Sequence, residues 1–167
     1  MTITMVDGDL LNNFDAKKYD GIAHGCNCFY AMASGIAADV RLRYIEAYKA
    51  DLASVYGSTH KLGLMTLTNL DSGTIFNLYT QYKPGRQEDL NQLYENIRHA
   101  FRNLSCYIEQ LKKREKRPSY TLGVPFIGAG IAGGDWKVIS KIIAEESKHM
   151  DVVFVNYVPG HVDLFVE

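Results

Sequence analysis

The stretch Tyr120–Trp136, YTLGVPFIGAGIAGGDW, decides how this chain is read. Thr121–Ile127 is a run of apolar and β-compatible residues that suits a buried strand. Gly128–Gly134 follows as GAGIAGG, with no side chain larger than one isoleucine. Asp135 then stands where a helix N-cap belongs, and Val138, Ile139, Ile142 and Ile143 give Trp136–His149 helical spacing. Strand, glycine loop and helix start, in that order, make an anion site. Bare backbone N–H groups approach a phosphate closely, and the helix dipole favours its charge. More glycines are present than a tight turn needs, so the expected ligand contains a pyrophosphate. Gly128, Gly130 and Gly133 also fit G-x-G-x-x-G. That motif, however, should open a dinucleotide fold and be followed by an acid at the end of the next strand. Here it comes late, and Asp151 precedes the next strand instead of ending it, so classical NAD binding is set aside.

A length of 167 residues predicts a single domain over 1–167, large enough for a substantial core. With 47% apolar and 22% charged residues and a net charge of −1, the composition argues against a surface built for bulk nucleic-acid backbone. Three cysteines, two of them one residue apart, are a poor disulfide framework and suggest a reducing compartment. MTITMVDGDL lacks the pattern of a signal peptide, and no apolar run approaches membrane-spanning length, so no membrane partner is expected. The expected location is cytoplasmic.

Outward from the central stretch, Thr2–Val6 reads as a short strand running into a turn, Asp7-Gly8-Asp9-Leu10. Asp20–Cys28 reads as a second strand, with more polar and reactive side chains than a plain core strand needs. A small-residue loop, Phe29–Ser34, leads into a helix over Gly35–Leu52, capped by Ser34 and striped by Ile36, Val40, Tyr44, Ala47 and Tyr48. Leu62–Asn69 and Thr74–Gln81 form a hairpin. Leu90, Leu93, Ile97, Phe101, Leu104, Ile108 and Leu111 mark a long amphipathic helix, with Glu88 and Asp89 at its start and Lys112–Arg117 before Pro118 at its end. That basic run reads as a solvated helix end. Asp151–Tyr157 is a last strand, followed by a tail with Pro159-Gly160. Helices interleaved with apolar strands imply a three-layer α/β/α sandwich on a mixed sheet, with the ligand at the carboxyl ends of the strands.

Four ordered motifs then carry a resemblance: Gly8-Asp9-Leu10; His24-Gly-Cys-Asn27-Cys; Ala33-Ser-Gly35-Ile-Ala37; and Pro125-Phe-Ile-Gly128-Ala-Gly130-Ile-Ala-Gly133 before Trp136. In order and spacing, from about Met1 to Tyr157, the chain resembles the macro domain family. Within it the chain looks most similar to the branch of ADP-ribose-1''-phosphate phosphatases, which includes macro proteins carried by bacteriophages. The His-x-Cys-Asn-Cys strand and Gly57-Ser58…Leu62-Gly63 are the features that say so.

The resemblance implies an ADP-ribose cleft with no further cofactor. Asp9, beside Leu10, matches the acid that accepts a hydrogen bond from the adenine amino group. The loops Ala33, Ser34, Gly35, Ile36 and Gly128, Ala129, Gly130, Ile131, Ala132, Gly133 match those that hold the diphosphate through backbone N–H groups. Asn27 matches the asparagine facing the distal ribose, and Asn156 or Tyr157 the residue against adenine; strand alternation lets only one of these two face the cleft. His24 matches a phosphatase-branch histidine near the distal ribose, able to donate a proton or attack phosphorus; the plain alternative is a histidine bonded inside the sheet. Asp135 is the cap of its helix, with water activation as a secondary role. Macro domains that remove ADP-ribose from carboxylates or DNA bases use a lysine and an aspartate where this chain has Gln81 and Ala132, which argues against a covalent lysine route. Cys26 and Cys28 with His24 do not complete a metal site and read as buried small hydrophobes. The expected function is hydrolysis of ADP-ribose 1''-phosphate. The alternatives are removal of ADP-ribose from a modified protein or nucleic acid, and a non-catalytic ADP-ribose reader.

Overall fold

The computed structural model describes residues 1–158. Along them run β1 (Ile3–Gly8), α1 (Leu10–Asp15), β2 (Gly21–Cys26), α2 (Gly35–Arg43), α3 (Ile45–Leu52), β3 (Met65–Leu70), β4 (Gly73–Tyr79), α4 (Leu90–Glu115), β5 (Thr121–Val124), α5 (Trp136–Glu146) and β6 (Asp151–Tyr157), with one 3-10 turn at Thr59–Lys61. The strands form one sheet in the order β1-β6-β5-β2-β4-β3. All neighbours are parallel except β3 and β4, which close a hairpin around Asp71-Ser72.

Strand alternation sorts the side chains into two faces. Ala23, Phe76, Leu78 and Phe154 meet the apolar stripes of α4 and α5, including Leu93, Ile97, Phe101, Ile139 and Ile143. Ile22, Ile75 and Val155, one residue out of phase, meet Leu10, Phe14, Val40, Tyr44 and Ala47 from α1, α2 and α3. The result is the three-layer sandwich with a mixed sheet that the element order implied. The long helix keeps its expected stripe; Asp89 caps it by accepting from the Gln92 N–H at 3.0 Å, and Lys116 ends it in the left-handed region at φ 53°.

Several boundaries move for local reasons. The expected helix over Gly35–Leu52 is two helices, broken at Tyr44 (φ −132°, ψ 78°). The break lets the Tyr44 ring pack edge-on against Phe14 and its hydroxyl donate to Asp15 Oδ1 at 2.6 Å. The strand before the glycine loop stops at Val124, since Pro125 has no N–H to continue the ladder. β2 covers Gly21–Cys26, so Asn27 and Cys28 lie past its end; β1 continues beyond Val6 to Gly8; α5 stops at Glu146. The hairpin strands cover Met65–Leu70 and Gly73–Tyr79 in place of Leu62–Asn69 and Thr74–Gln81. The turn at Asp9 leads straight into α1, a helix the sequence pattern did not show because only three of its residues, Leu10, Leu11 and Phe14, are buried. Pro159-Gly160 lie outside the described residues. Among the described residues no helix is long and apolar enough to cross a membrane.

Candidate functional site

Two cavities open where the parallel strands end. The first, of ≈ 310 Å³, is lined in part by Asn27, Ser34, Gly35, Ile36, Gly128, Gly130, Ile131 and Ala132. The second, of ≈ 480 Å³, is bordered by Asp9, Leu10, Arg43, Asn156 and Tyr157. Both are in the size range of small-molecule sites, roughly 300–1,000 Å³. They share Gly35, Ile36, Pro125 and Phe126, so together they form a two-lobed cleft pinched between the two side-chain-poor loops.

The pinch is rich in unpaired donors. Ser34 is extended (φ −147°, ψ 160°) and its side chain makes no capping hydrogen bond, so the first N–H groups of α2 point out of the helix without partners among the described residues. Gly35 opens that helix at φ 57°, which a side chain would strain. On the opposite loop, Gly128 takes φ 75° and its carbonyl accepts from Gly134 at 2.7 Å, folding the loop back on itself. The consecutive N–H groups of Gly130, Ile131 and Ala132 then have no hydrogen-bond partner among the described residues. Such a concavity of N–H groups suits an anion. The dipole that faces it is that of α2, where the sequence reading placed that of α5. The N-terminus of α5 is already occupied by its own carboxylate, Asp135, whose Oδ1 accepts from the Lys137 N–H at 2.9 Å.

That arrangement corrects the secondary role expected of Asp135: it is exposed and outside the cleft lining, and it serves as the helix cap. Asp135→Ala is accordingly expected to lower stability by about 1 kcal/mol and to leave ligand affinity unchanged, as paired urea unfolding and calorimetry would show.

His24 is corrected too. Its side chain lies on the α3 face of β2, is fully buried, and does not border the cleft; Cys26, one pleat further along, does. The His24 Nε2 bonds to Asn77 Oδ1 at 2.7 Å, while the Asn77 amide donates to Ala47 O and Thr66 Oγ1. Burial pushes the imidazole down to about 4 against the opposing pull of the Asn77 hydrogen bond, so near neutral pH it is uncharged. It is a polar core residue bonded inside the sheet, which was the plain alternative.

Asn27 does line the cleft, and most of its capacity holds the loop there: Oδ1 accepts from the N–H groups of Phe29 (2.9 Å) and Ala31 (3.3 Å), and Nδ2 donates to Ala31 O (2.9 Å). One Nδ2 hydrogen is left for a ligand. Asp9 caps α1 through the Asn12 N–H at 3.0 Å and still borders the second lobe. Asn156 and Tyr157 both border that lobe, although alternation allowed one. At the strand end Asn156 turns to donate to Asp7 Oδ1 at 3.0 Å, while Tyr157 is 66% exposed. Ala33, Ala129 and Gly133 stand back from the lining. Gln81 borders the first lobe with its amide donating to Lys83 O at 2.8 Å, and Ala132 borders it as well. Cys26 and Cys28 are buried with their thiols pushed up by burial, and among the described residues no group of three or more metal-ligating side chains forms.

Other lining residues carry no site role from the sequence, Arg43, Phe126 and Asp51 among them. Phe126 borders both lobes and stacks flat on Trp136, with centroids 4.2 Å apart and planes at 7°. Its place directly after the strand-ending Pro125 was the available signal. Asp51, on α3, also lines the first lobe. Nothing in the sequence marks it, because it looks like one more polar residue near a helix end.

No family model matches the sequence. The 17.5 kDa protein of the tk-vs intergenic region of Enterobacteria phage T4 is 32% identical over 165 residues, covering 95% of this chain and 99% of that protein. Among solved structures, the macrodomain of Thermus aquaticus DarG superposes with a TM-score of 0.72 at 18% identity, over 93% of this chain and 98% of its own. Thermosipho africanus DarTG in complex with ADP-ribose superposes with a TM-score of 0.66 at 15% identity, over 93% of this chain and 42% of its own. The chain therefore belongs to one family with the phage T4 17.5 kDa protein, and its fold is the macrodomain fold.

Proposed function

We propose that this protein binds ADP-ribose in the two-lobed cleft and hydrolyses a substituent from the far ribose, with ADP-ribose 1''-phosphate as the leading substrate. The observation that carries the reading is the meeting of two cavities at two loops with unpaired N–H groups: a diphosphate fits the pinch, adenosine one lobe, and a second sugar the other. The similarity in fold to a structure that holds ADP-ribose supports the choice of ligand. In this reading Gly35, Ile36, Gly130, Ile131 and Ala132 grip the diphosphate through their backbones. Asp9 and Tyr157 flank the adenine, and Asn27 offers its remaining amide hydrogen to the far ribose.

A second reading, an ADP-ribose binder without turnover, is favoured by one specific finding: His24 and Asp135, the two expected proton-transfer groups, both lie off the cleft. The test is to incubate the pure protein with ADP-ribose 1''-phosphate, ADP-ribosylated protein and ADP-ribosylated DNA, and to separate the products. Phosphate and ADP-ribose released in equal amounts from the first substrate, without added metal, is the expected result. Free ADP-ribose from a modified macromolecule, without phosphate, would move the activity to de-ADP-ribosylation. Micromolar binding with no product would establish the binder.

A further inference from the structure

One charged cluster on the cleft wall has no part in the roles assigned so far. Asp51, near the C-terminal end of α3, is 1% exposed and lines the first lobe beside Cys26 and Asn27, away from Asp9 and Tyr157 in the second. The Tyr79 hydroxyl donates to its Oδ1 at 2.8 Å, and no other side chain donates to this carboxylate among the described residues. Tyr79 is itself held, with its hydroxyl 3.0 Å from Thr66 Oγ1 and 3.3 Å from Ser54 Oγ. Behind them Lys61 is 6% exposed, and its Nζ has no hydrogen-bond partner among the described residues. The ammonium stands over the rings of Tyr79 at 4.2 Å and Tyr30 at 5.1 Å.

A core built only for stability would not keep these groups. A carboxylate taken out of water with a single side-chain donor, backed by an ammonium with no hydrogen-bond acceptor among the described residues, is costly, and apolar residues of the same size would serve packing as well. The cost has a use if a ligand completes the carboxylate. An ionised carboxyl is acceptor-only, and the groups that best satisfy it from a neutral ligand are hydroxyls. The neighbouring hydroxyls of a ribose present two donors side by side.

We propose that Asp51 is the specificity-determining residue of this cleft: its unfilled acceptor positions take the hydroxyls of the ribose beyond the diphosphate, with Tyr79 as the residue that positions the carboxylate. The inference rests on the ADP-ribose reading above and adds to it the group that tells ADP-ribose from ADP, which lacks that sugar. A site built to hydrogen-bond a hydroxyl discriminates strongly against the analogue without it, since its buried polar group is then left unpaired.

Calorimetric titration of the full chain with ADP-ribose and with ADP tests this, using the unaltered protein, Asp51→Asn and Tyr79→Phe. The unaltered protein should prefer ADP-ribose at least tenfold. Asp51→Asn, which keeps the shape and an oxygen for Tyr79, should lose at least fivefold of that preference while its affinity for ADP stays the same. Tyr79→Phe should lose part of the preference, again without weakening ADP. A merely structural role would move both nucleotides together and leave their ratio alone. The proposal is overturned if the unaltered protein binds the two alike, or if the substitutions keep the ratio; should Asp51→Asn lose its cooperative unfolding transition, Tyr79→Phe decides. Failure of the underlying reading looks different, because then neither nucleotide binds the unaltered protein.

Discussion

Gly130→Leu is expected to weaken ADP-ribose binding at least a hundredfold, while the urea midpoint of the protein stays where it was. A Cβ placed on Gly130 meets nothing within 4 Å, and the residue needs no left-handed backbone, so the folded protein has room for a side chain there. The room is the cleft itself, which Gly130 lines. A leucine would therefore fill the pinch between the lobes and cover the N–H groups of Ile131 and Ala132. A hundredfold loss is about 2.7 kcal/mol, within the reach of several charge-assisted hydrogen bonds to a diphosphate at roughly 1.5–3 kcal/mol each. Gly134 makes the contrast within the same loop. A Cβ there would stand 2.7 Å from the Gly128 carbonyl and 2.7 Å from Ile139 Cδ1, so its smallness serves the packing of the loop on α5. Calorimetry on Gly130→Leu with unchanged affinity would remove the diphosphate from this loop.

The second large effect concerns His24 and appears in stability. The unfolded chain takes up a proton at this side chain near its ordinary value of 6.5, whereas the folded chain refuses it until about pH 4. The buried neutral form therefore contributes fully at and above neutral pH, and its contribution drains away as pH falls from 6.5 toward 4, by about 3 kcal/mol. His24→Leu should be less stable than the unaltered protein at pH 7.5, because it orphans Asn77 Oδ1, and should show a shallower loss across that window. Urea unfolding of both proteins at closely spaced pH values measures the difference. Parallel pH curves would mean that the imidazole is solvated. A loss of turnover with stability intact would return it to the cleft as a proton carrier.

The burial of His24 is set by packing that no motif along the chain records. The period-two pattern of Gly21–Cys26 fixes that His24 and Cys26 share a face of the strand, and the structure agrees. Which of them borders the cleft depends on where α3 lies over that face, a property of long-range packing. Ala47 and Asn77 close over the histidine, and the opening begins only one pleat later. Asp135 shows the same limit in a loop: its pattern as an N-cap was legible, and the distance of that cap from the cleft was not.

By itself, the sequence determined the layers, the long helix and the two loops without bulky side chains. Those features are written in local terms: apolar periods of two and about three and a half, glycines where N–H groups must be bare, and aspartates at the starts of α4 and α5. Only the tertiary structure decided that the two loops face one another across Gly35 and Gly130, that both Asn156 and Tyr157 border one lobe, and that Asp51 stands in the wall of the other. The physical reason is that a side chain's chemistry is local, while its access to water or ligand is set by whichever distant elements pack against it. No pattern along the chain records how α3 settles on β4, and that contact separates a buried histidine from a cleft-lining carboxylate.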